Sequence, residues 1–456
     1  MKGLTLSRIA EVCGGTYSGR EEDREREVCD ITTDSRKAGG GSLFAAIRGE
    51  RADGHDFIPS VFEKGALCAI SEKELPDAAG NYIRVSSTLD ALKAIAQEYL
   101  EQLQIPVVGI TGSVGKTSTK EMIAAVLAQK YRVLKTAGNF NNELGLPLTV
   151  FRLREEDEIA VLEMGISHFG EMHRLAKIAK PDTCVITNIG QCHLEFLGDR
   201  DGVLRAKSEI FDFLRPDGHI VLNGDDDKLE TIREVKGIRP VFFGIDSEND
   251  VYADRIEKKG LDGISCRIHT KNGSFTTLIP IPGIHMVFNA LAGTAVGLHY
   301  GLTLEQIRKG IESLQPVSGR FHILHTEKYT IIDDCYNANP VSMKASLEVL
   351  QDGLGRKVAI LGDMGELGAD EALLHRQVGE FAGELDLDRC ICVGPLCGNL
   401  AEGIESVNPE MDVTVLPNLQ ELLKQIPQLV QADDTILVKA SHFMHFEKVV
   451  EMLSLM

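Results

Sequence analysis

The sequence predicts an α/β protein of three domains. These are a small N-terminal α/β unit over residues 1–104, a central parallel-sheet domain built on a phosphate loop over 105–315, and a Rossmann-like α/β unit over 316–456. Three observations predict it. The chain has 456 residues, which at about 150 residues per domain gives roughly three. Short apolar runs alternate with helical patterns from residue 105 onward, as strands joined in parallel by crossover helices do. Pro106 closes the helical pattern of 87–103, because the residue before a proline resists helix.

In the first unit, residues 1–11 read as a short amphipathic helix. They lack the long apolar core and small-residue cleavage site of a signal peptide. A strand-like run at 42–47, a helix around 57–64 and a strand at 67–70 follow. Between them Asp34-Ser35-Arg36 reads, on its own, as a solvated polar turn.

The central unit opens on a buried strand marked by Val107, Val108 and Ile110, breaks into Thr111-Gly-Ser-Val-Gly-Lys-Thr-Ser118, and continues from Lys120 with apolar residues at helical spacing. Strand, glycine-rich turn and helix are the parts of a nucleoside triphosphate cradle. The loop positions Gly112, Ser113, Val114, Gly115 and Ser118 surround the phosphates with backbone N–H groups. Lys116 adds a positive charge, and the Thr117 hydroxyl suits Mg²⁺. Ile110 stands where the strict pattern has its first glycine, but Gly112 and Gly115 still leave two positions without a Cβ.

The run 158–165 is a second buried strand ending on Glu163, and 183–190 a third ending just before His193. Ligands of open parallel sheets bind at the carboxyl ends of strands, so the loop, Glu163 and His193 are expected to converge. A buried carboxylate needs a partner, and Mg²⁺ is a natural one. His193 alone is a loop histidine on a structural hydrogen bond; the convergence argues for a metal role. Residues 199–214 read as a helix on which Lys207, by spacing, is an exposed lysine. The stretch 240–281 is expected to be an antiparallel excursion. A helix then begins at 282–292, placing His285 and Asn289 on one face. The Asn289 amide suits an adenine edge or plain solvent.

In the third unit a strand at 329–334 leads into the polar turn 335–340 and a helix over 341–350. Strands are expected at 356–361, 390–393, 413–415 and 435–439, with a closing helix from about 446. Gly362, Gly365 and Gly368 miss the G-x-G-x-x-G spacing of a dinucleotide fold. His442 and His445 at i, i+3 read as packing residues more than as metal ligands.

Composition excludes several classes. A net charge of −20 and the absence of tryptophan argue against nucleic acid as a partner. No apolar run approaches the ~20 residues of a membrane span, so a cytoplasmic protein without membrane insertion is expected. The ten cysteines form no C-x-x-C pair and read as free thiols.

Several separated stretches together resemble the Mur ligase family of ATP-dependent amide ligases in peptidoglycan precursor synthesis. They are 111–118, Gly138-Asn-Phe-Asn-Asn142, Glu163-Met-Gly165, Thr187-Asn-Ile-Gly190, His193-Leu-Glu195, 285–289, Asp333-Asp-Cys-Tyr-Asn-Ala-Asn-Pro340 and Leu361-Gly-Asp-Met364. The resemblance spans the chain. It implies that the first domain holds a UDP-sugar, the second ATP, and that the third closes over both. On this reading Ser35 and Arg36 contact the uridine diphosphate, and Asn139, Asn141 and Asn142 lie near the sugar-peptide. Thr117 and Glu163 hold one Mg²⁺, while His193 and a carbamylated Lys207 serve a second. Asn289 reads adenine, Arg320 and Asp334 complete the ATP site, and Lys116, Lys207 and His193 carry the chemistry. Stretches 138–142, 333–340 and 361–364 imply UDP-MurNAc-tripeptide and D-Ala-D-Ala as substrates; a monomer is expected. Val114 departs from the asparagine common in relatives. The alternatives are a ligase of the same family with another acceptor, as in folylpolyglutamate synthesis, and a P-loop nucleotide switch.

Overall fold

The computed structural model describes residues 1–49, 52–76 and 80–456, and its strands form three separate sheets. The first is five-stranded, in the order Thr16–Ser18, Tyr82–Arg84, Cys68–Ser71, Leu43–Ala45, Ile31–Thr32. Only the outermost pairing, of Thr16–Ser18 with Tyr82–Arg84, is antiparallel. Helix Thr88–Leu103 then ties this unit to the next. Ser87 caps it by accepting the Asp90 N–H at 3.2 Å, and Gln104 ends it in a left-handed turn before Pro106. Its apolar face (Leu92, Ile95, Ala96, Tyr99, Leu100) is buried in a cluster shared by the first and second units, and the Tyr99 hydroxyl donates to the Leu153 carbonyl at 2.8 Å.

The second sheet has nine strands, with Val107–Thr111 third from one edge, between Ile159–Glu163 and Thr183–Ile186, all three parallel. These strands are fully buried, which is why they read as continuous apolar runs. Register sets the site: Ile110 lies opposite Glu163 and Thr111 opposite Ile186, so the phosphate loop, Glu163 and residues 187–193 leave one edge together.

The antiparallel expectation for 240–281 holds only for its second half. Val241–Gly244 joins His219–Asn223 in parallel, and Val251–Lys258 joins Val241–Gly244 in parallel. The connection 224–240 is long enough to cross back over the sheet, whereas the tight turns after 258 and 270 permit only hairpins. Ile264–Thr270 and Gly273–Ile279 are accordingly antiparallel.

The third sheet has six strands in the order His322–His325, Thr330–Asp333, Thr435–Lys439, Lys357–Gly362, Arg389–Val393, Asp412–Leu416, parallel except for the first hairpin. Cys390 and Cys392 share one buried face of their strand, as strand packing requires. Helix Pro340–Leu350 starts on a reciprocal cap between Asn339 and Ser342. One apolar cluster joins helices Lys116–Leu127 and His285–His299 to this helix, so the third unit is packed against the second. Among the described residues no helix is long and apolar enough to cross a membrane.

Candidate active site

The carboxyl ends of the second and third sheets face one cleft of about 640 Å³. From the second unit come residues 113–118, Asn141, Asn142, Glu163 and His193; from the third come Arg320, Asp334, Tyr336, Asn337 and Lys439.

Its floor is the phosphate loop. Gly112 adopts φ 150°, and a Cβ there would sit 1.9 Å from the Thr187 hydroxyl, so only glycine fits. Residues 187–190 brace the loop from behind. Ser113 N–H donates to the Asn188 carbonyl and Val114 N–H to Asn188 Oδ1, at 3.0 and 2.9 Å. The Val114 carbonyl accepts from the Thr187 hydroxyl at 2.6 Å and from the Asn188 amide at 3.0 Å. The sequence reads this stretch as the end of the third strand and as a family marker, but the strand stops at Ile186 and 187–190 form the brace. Its bracing role leaves little local signal beyond a polar run ending a buried strand. Lys116 opens helix Lys116–Leu127, with Nζ donating to the carbonyls of Gly112 at 2.8 Å and Ser113 at 3.3 Å; burial lowers its pKa.

Glu163 is 1% exposed, and its carboxylate is fully engaged. Thr117 Oγ1 donates to it at 2.9 Å, the Asn141 amide at 2.8 Å, and Lys120 Nζ lies 3.8 Å away. The buried Lys120 also donates to the Thr136 carbonyl at 2.8 Å. Its position four residues after Lys116, on the same helix face, was a signal available in the sequence. Thr117 and Glu163 thus present a hydroxyl and a carboxylate side by side at the start of the loop's helix, donors that suit a hard cation. Among the described residues no three His, Cys, Asp or Glu side chains gather into a preformed metal cluster. A cation here would therefore draw further ligands from phosphates.

Lys207 is not the exposed lysine that helical spacing predicts. It is 0% exposed on helix Arg200–Ser208, its Nζ has no hydrogen-bond partner among the described residues, and burial pushes it down to about 8, Lys116 contributing in the same direction. The helix packs that face inward, and periodicity alone could not choose the face. His193 follows the third strand in a left-handed conformation, φ 52°. Its Nδ1 lies 2.5 Å from Glu366 Oε2 of the third unit, off the line of a hydrogen bond.

Across the cleft Asp334 Oδ2 accepts from Lys439 Nζ at 2.5 Å and from the Ser346 hydroxyl at 2.7 Å; Lys439 also donates to the Asn337 carbonyl at 3.1 Å. Asp333 Oδ2 accepts the Gly319 N–H at 2.7 Å, shaping the turn that carries Arg320, whose guanidinium stacks 4.2 Å from the Tyr336 ring. Lys439 was missed by sequence reasoning, although a lysine ending a buried apolar strand is the same signal that marked Glu163. His285 lines the cleft against the Phe321 ring at 4.3 Å. Among the described residues both its nitrogens lack partners, and burial lowers it to about 4, so it is neutral at pH 7.

Other expected residues lie apart. Asn289 faces neither open solvent nor the cleft lining: its Oδ1 accepts from Thr119 at 2.8 Å, beside Gly115. Asn139 is exposed on the loop before Asn141. Ser35 and Arg36 sit on the surface of the first unit, Arg36 paired in two contacts of 2.9 Å with Asp34, whose carboxyl that pairing lowers to about 2. His442 and His445 are both exposed, so neither is a packed core residue: the His442 ring lies tilted beside that of Tyr336, and His445 pairs with Glu447 at 3.2 Å.

A P-loop on a parallel sheet, roofed by a second α/β unit that supplies counter-charges, defines a nucleotide-dependent transferase or ligase architecture. The chain belongs to the Mur ligase family. Residues 27–100 match the Mur ligase family, catalytic domain, 110–297 the Mur ligase middle domain, and 319–442 the Mur ligase, glutamate ligase domain. The UDP-N-acetylmuramoyl-tripeptide–D-alanyl-D-alanine ligase of Bacillus subtilis is 37% identical over 452 residues, 98% of this chain and 97% of that protein. The Escherichia coli enzyme of the same name is 36% identical over 455 residues, 99% of each chain. A crystal structure of MurF from Acinetobacter baumannii superposes with a TM-score of 0.91 at 35% identity, covering 99% of both chains. The Thermotoga maritima MurF ligase in complex with ADP gives 0.81 at 31%, covering 93% of this chain and 97% of that one.

Proposed function

We infer that this chain is an ATP-dependent ligase that joins D-alanyl-D-alanine to UDP-N-acetylmuramoyl-tripeptide, releasing ADP and phosphate. The observation that carries the reading is near-full-length identity of 37% with a ligase of that name. The division into 1–104, 105–315 and 316–456 goes with it, supported by family matches that fall inside those bounds. ATP and a nucleotide sugar as substrates point to the cytoplasm, and a single chain supplies every wall of the cleft, so a monomer suffices.

The chemistry follows from charge. The peptide carboxylate is a poor electrophile, and ATP converts it to an acyl phosphate by transfer of its γ-phosphoryl group. Two anions must meet in that step, and Lys116 offsets their repulsion when it leaves the loop carbonyls for the phosphates. Mg²⁺, when bound, supplies further positive charge; Thr117 and Glu163 are the residues that would hold it. The free amine of D-Ala-D-Ala then attacks the acyl carbon, the C–N bond forms, and phosphate leaves as the tetrahedral adduct collapses. Arg320 and Lys439 bring positive charge from the third unit, whose closure keeps water from the acyl phosphate.

Lys207 fits a second metal site only if modified. A buried ammonium repels a cation. Its pKa of about 8 leaves a free amine that adds CO₂, giving a carbamate and a proton and so converting a repelling group into a carboxylate-like ligand. The test of the whole reading is phosphate release with ATP, UDP-MurNAc-tripeptide and D-Ala-D-Ala, omitting each in turn. Release that requires all three is expected. Release indifferent to the dipeptide would replace the ligase with a nucleotide switch.

A further inference from the structure

The contact between His193 and Glu366 crosses from the second unit to the third, and both residues sit in the left-handed region, at φ 52° and 59°. Two non-glycine residues held in that sparsely populated region and facing each other at 2.5 Å mark a place where the surrounding structure enforces a geometry.

The segment carrying Glu366 is built for this. Buried His375 accepts the Met364 N–H on Nε2 at 2.9 Å and donates from Nδ1 to the Glu371 carbonyl at 2.7 Å, fixing one tautomer. The Ser441 hydroxyl accepts the Gly365 N–H at 2.9 Å, and Asp363 Oδ1 the Leu396 N–H at 3.1 Å. Beyond it, Gly368 backs onto the main chain of Glu195, two residues after His193. A braced finger of the third unit therefore ends on the imidazole.

We propose that Glu366 is a positioning residue for His193: on closure the third domain supplies the carboxylate that accepts a hydrogen bond from Nδ1–H. This orients the ring and leaves Nε2 as the nitrogen offered to the cleft. The proposal rests on the ligase reading above and adds that the histidine is competent only when the third domain is in place. Carboxylate partners of this kind fix the tautomer and orientation of a metal-binding histidine, and their loss costs about 10- to 100-fold in metal affinity or activity.

The test pairs kinetics with a metal-free measurement on the full chain. Glu366→Gln should lower kcat about 10-fold or more, with KM for ATP within about two-fold and an unchanged melting temperature. Glu366→Asp should recover part of the loss. In ¹⁵N-histidine spectra without Mg²⁺, with UDP-MurNAc-tripeptide and a non-hydrolysable ATP analogue at about pH 8, the His193 ring should carry its proton on Nδ1 in the wild type and shift toward Nε2 in Glu366→Gln. A wild-type ring protonated on Nε2, or a Glu366→Gln kcat within about two-fold of wild type, overturns the proposal. So does a loss of kcat matched by a fall in melting temperature. A wild type whose phosphate release ignores the dipeptide would instead fail the ligase reading, and the spectra stand apart from that result.

Discussion

The phosphate loop and the third-domain wall face each other across one cleft but are built in opposite ways. In the loop the working groups are mostly backbone. Lys116 reaches carbonyls three and four residues behind it, and the long-range braces come from the single run 187–190. In the wall the working groups are charged side chains, and each is compensated from far along the chain. Asp334 is held by Lys439, 105 positions away, and by Ser346. A backbone device needs glycine at fixed positions and can be broken locally. A charge network needs partners, and breaking one leaves the other stranded in a dry place.

The sharpest test of the loop is Lys116→Ala. The substitution keeps the backbone cradle and removes its only side-chain charge. ADP formation should fall at least ~10³-fold, because transition-state charge loses its preorganised partner. Normal ADP release with all substrates present would show that the backbone alone suffices and would erase half of the contrast.

For the wall the expected loss is stability. Lys439→Met leaves the Asp334 carboxylate buried without its cation, a change that costs about 3–5 kcal/mol. Thermal unfolding should show the third domain destabilised, and the double variant Lys439→Met/Asp334→Asn should recover much of the loss. Equal destabilisation by the double variant would mean that packing around Lys439, and not the charge pair, holds the wall.

Lys207 belongs to neither pattern: it is buried in the second unit and, among the described residues, has no hydrogen-bond partner. Lys207→Ala should lower turnover about 100-fold and be partly rescued by added formate or acetate. The pH dependence has a definite sign. Folded Lys207 titrates near 8 against an ordinary 10.5. Below about 8 both the folded and unfolded chains hold the proton; between the two values only the unfolded chain does. Stability from this group therefore rises with pH across that window, and Lys207→Ala should flatten the rise seen in denaturant titrations. Free amine also grows as pH climbs through 8, so activity at limiting bicarbonate should increase over the same range.

The same contrast explains what the sequence could disclose. Strands such as Val107–Thr111 and Ile159–Glu163 were legible because full burial writes a continuous apolar run, and the loop because its glycines are local. The antiparallel reading of 240–281 failed at its first half, since the direction of Val241–Gly244 is decided by the path of the preceding connection and leaves no mark on the strand itself. Lys207 was assigned to the wrong face because helix Arg200–Ser208 has charged residues around most of its surface. Lys439, Asn188 and Glu366 escaped because their partners lie tens of positions or more away, in other loops and even in another domain.

The smallest effect should come from a side-chain change in the loop itself, Val114→Asn. If the side chain at this position mattered to the cradle, introducing an amide would change ATP affinity. The structure argues otherwise. The Val114 N–H and carbonyl are already taken by Asn188 and Thr187, and these bonds hold whatever side chain the residue carries. The valine side chain is half-buried at the edge of the cleft, where exchange for a residue of similar size should move stability by no more than about 0.5 kcal/mol. KM for ATP and kcat should both stay within about two-fold of wild type in steady-state phosphate release. A larger change in KM alone would give the side chain a direct contact with nucleotide. That result would make the loop less a backbone device, and more like the wall opposite, than its geometry indicates.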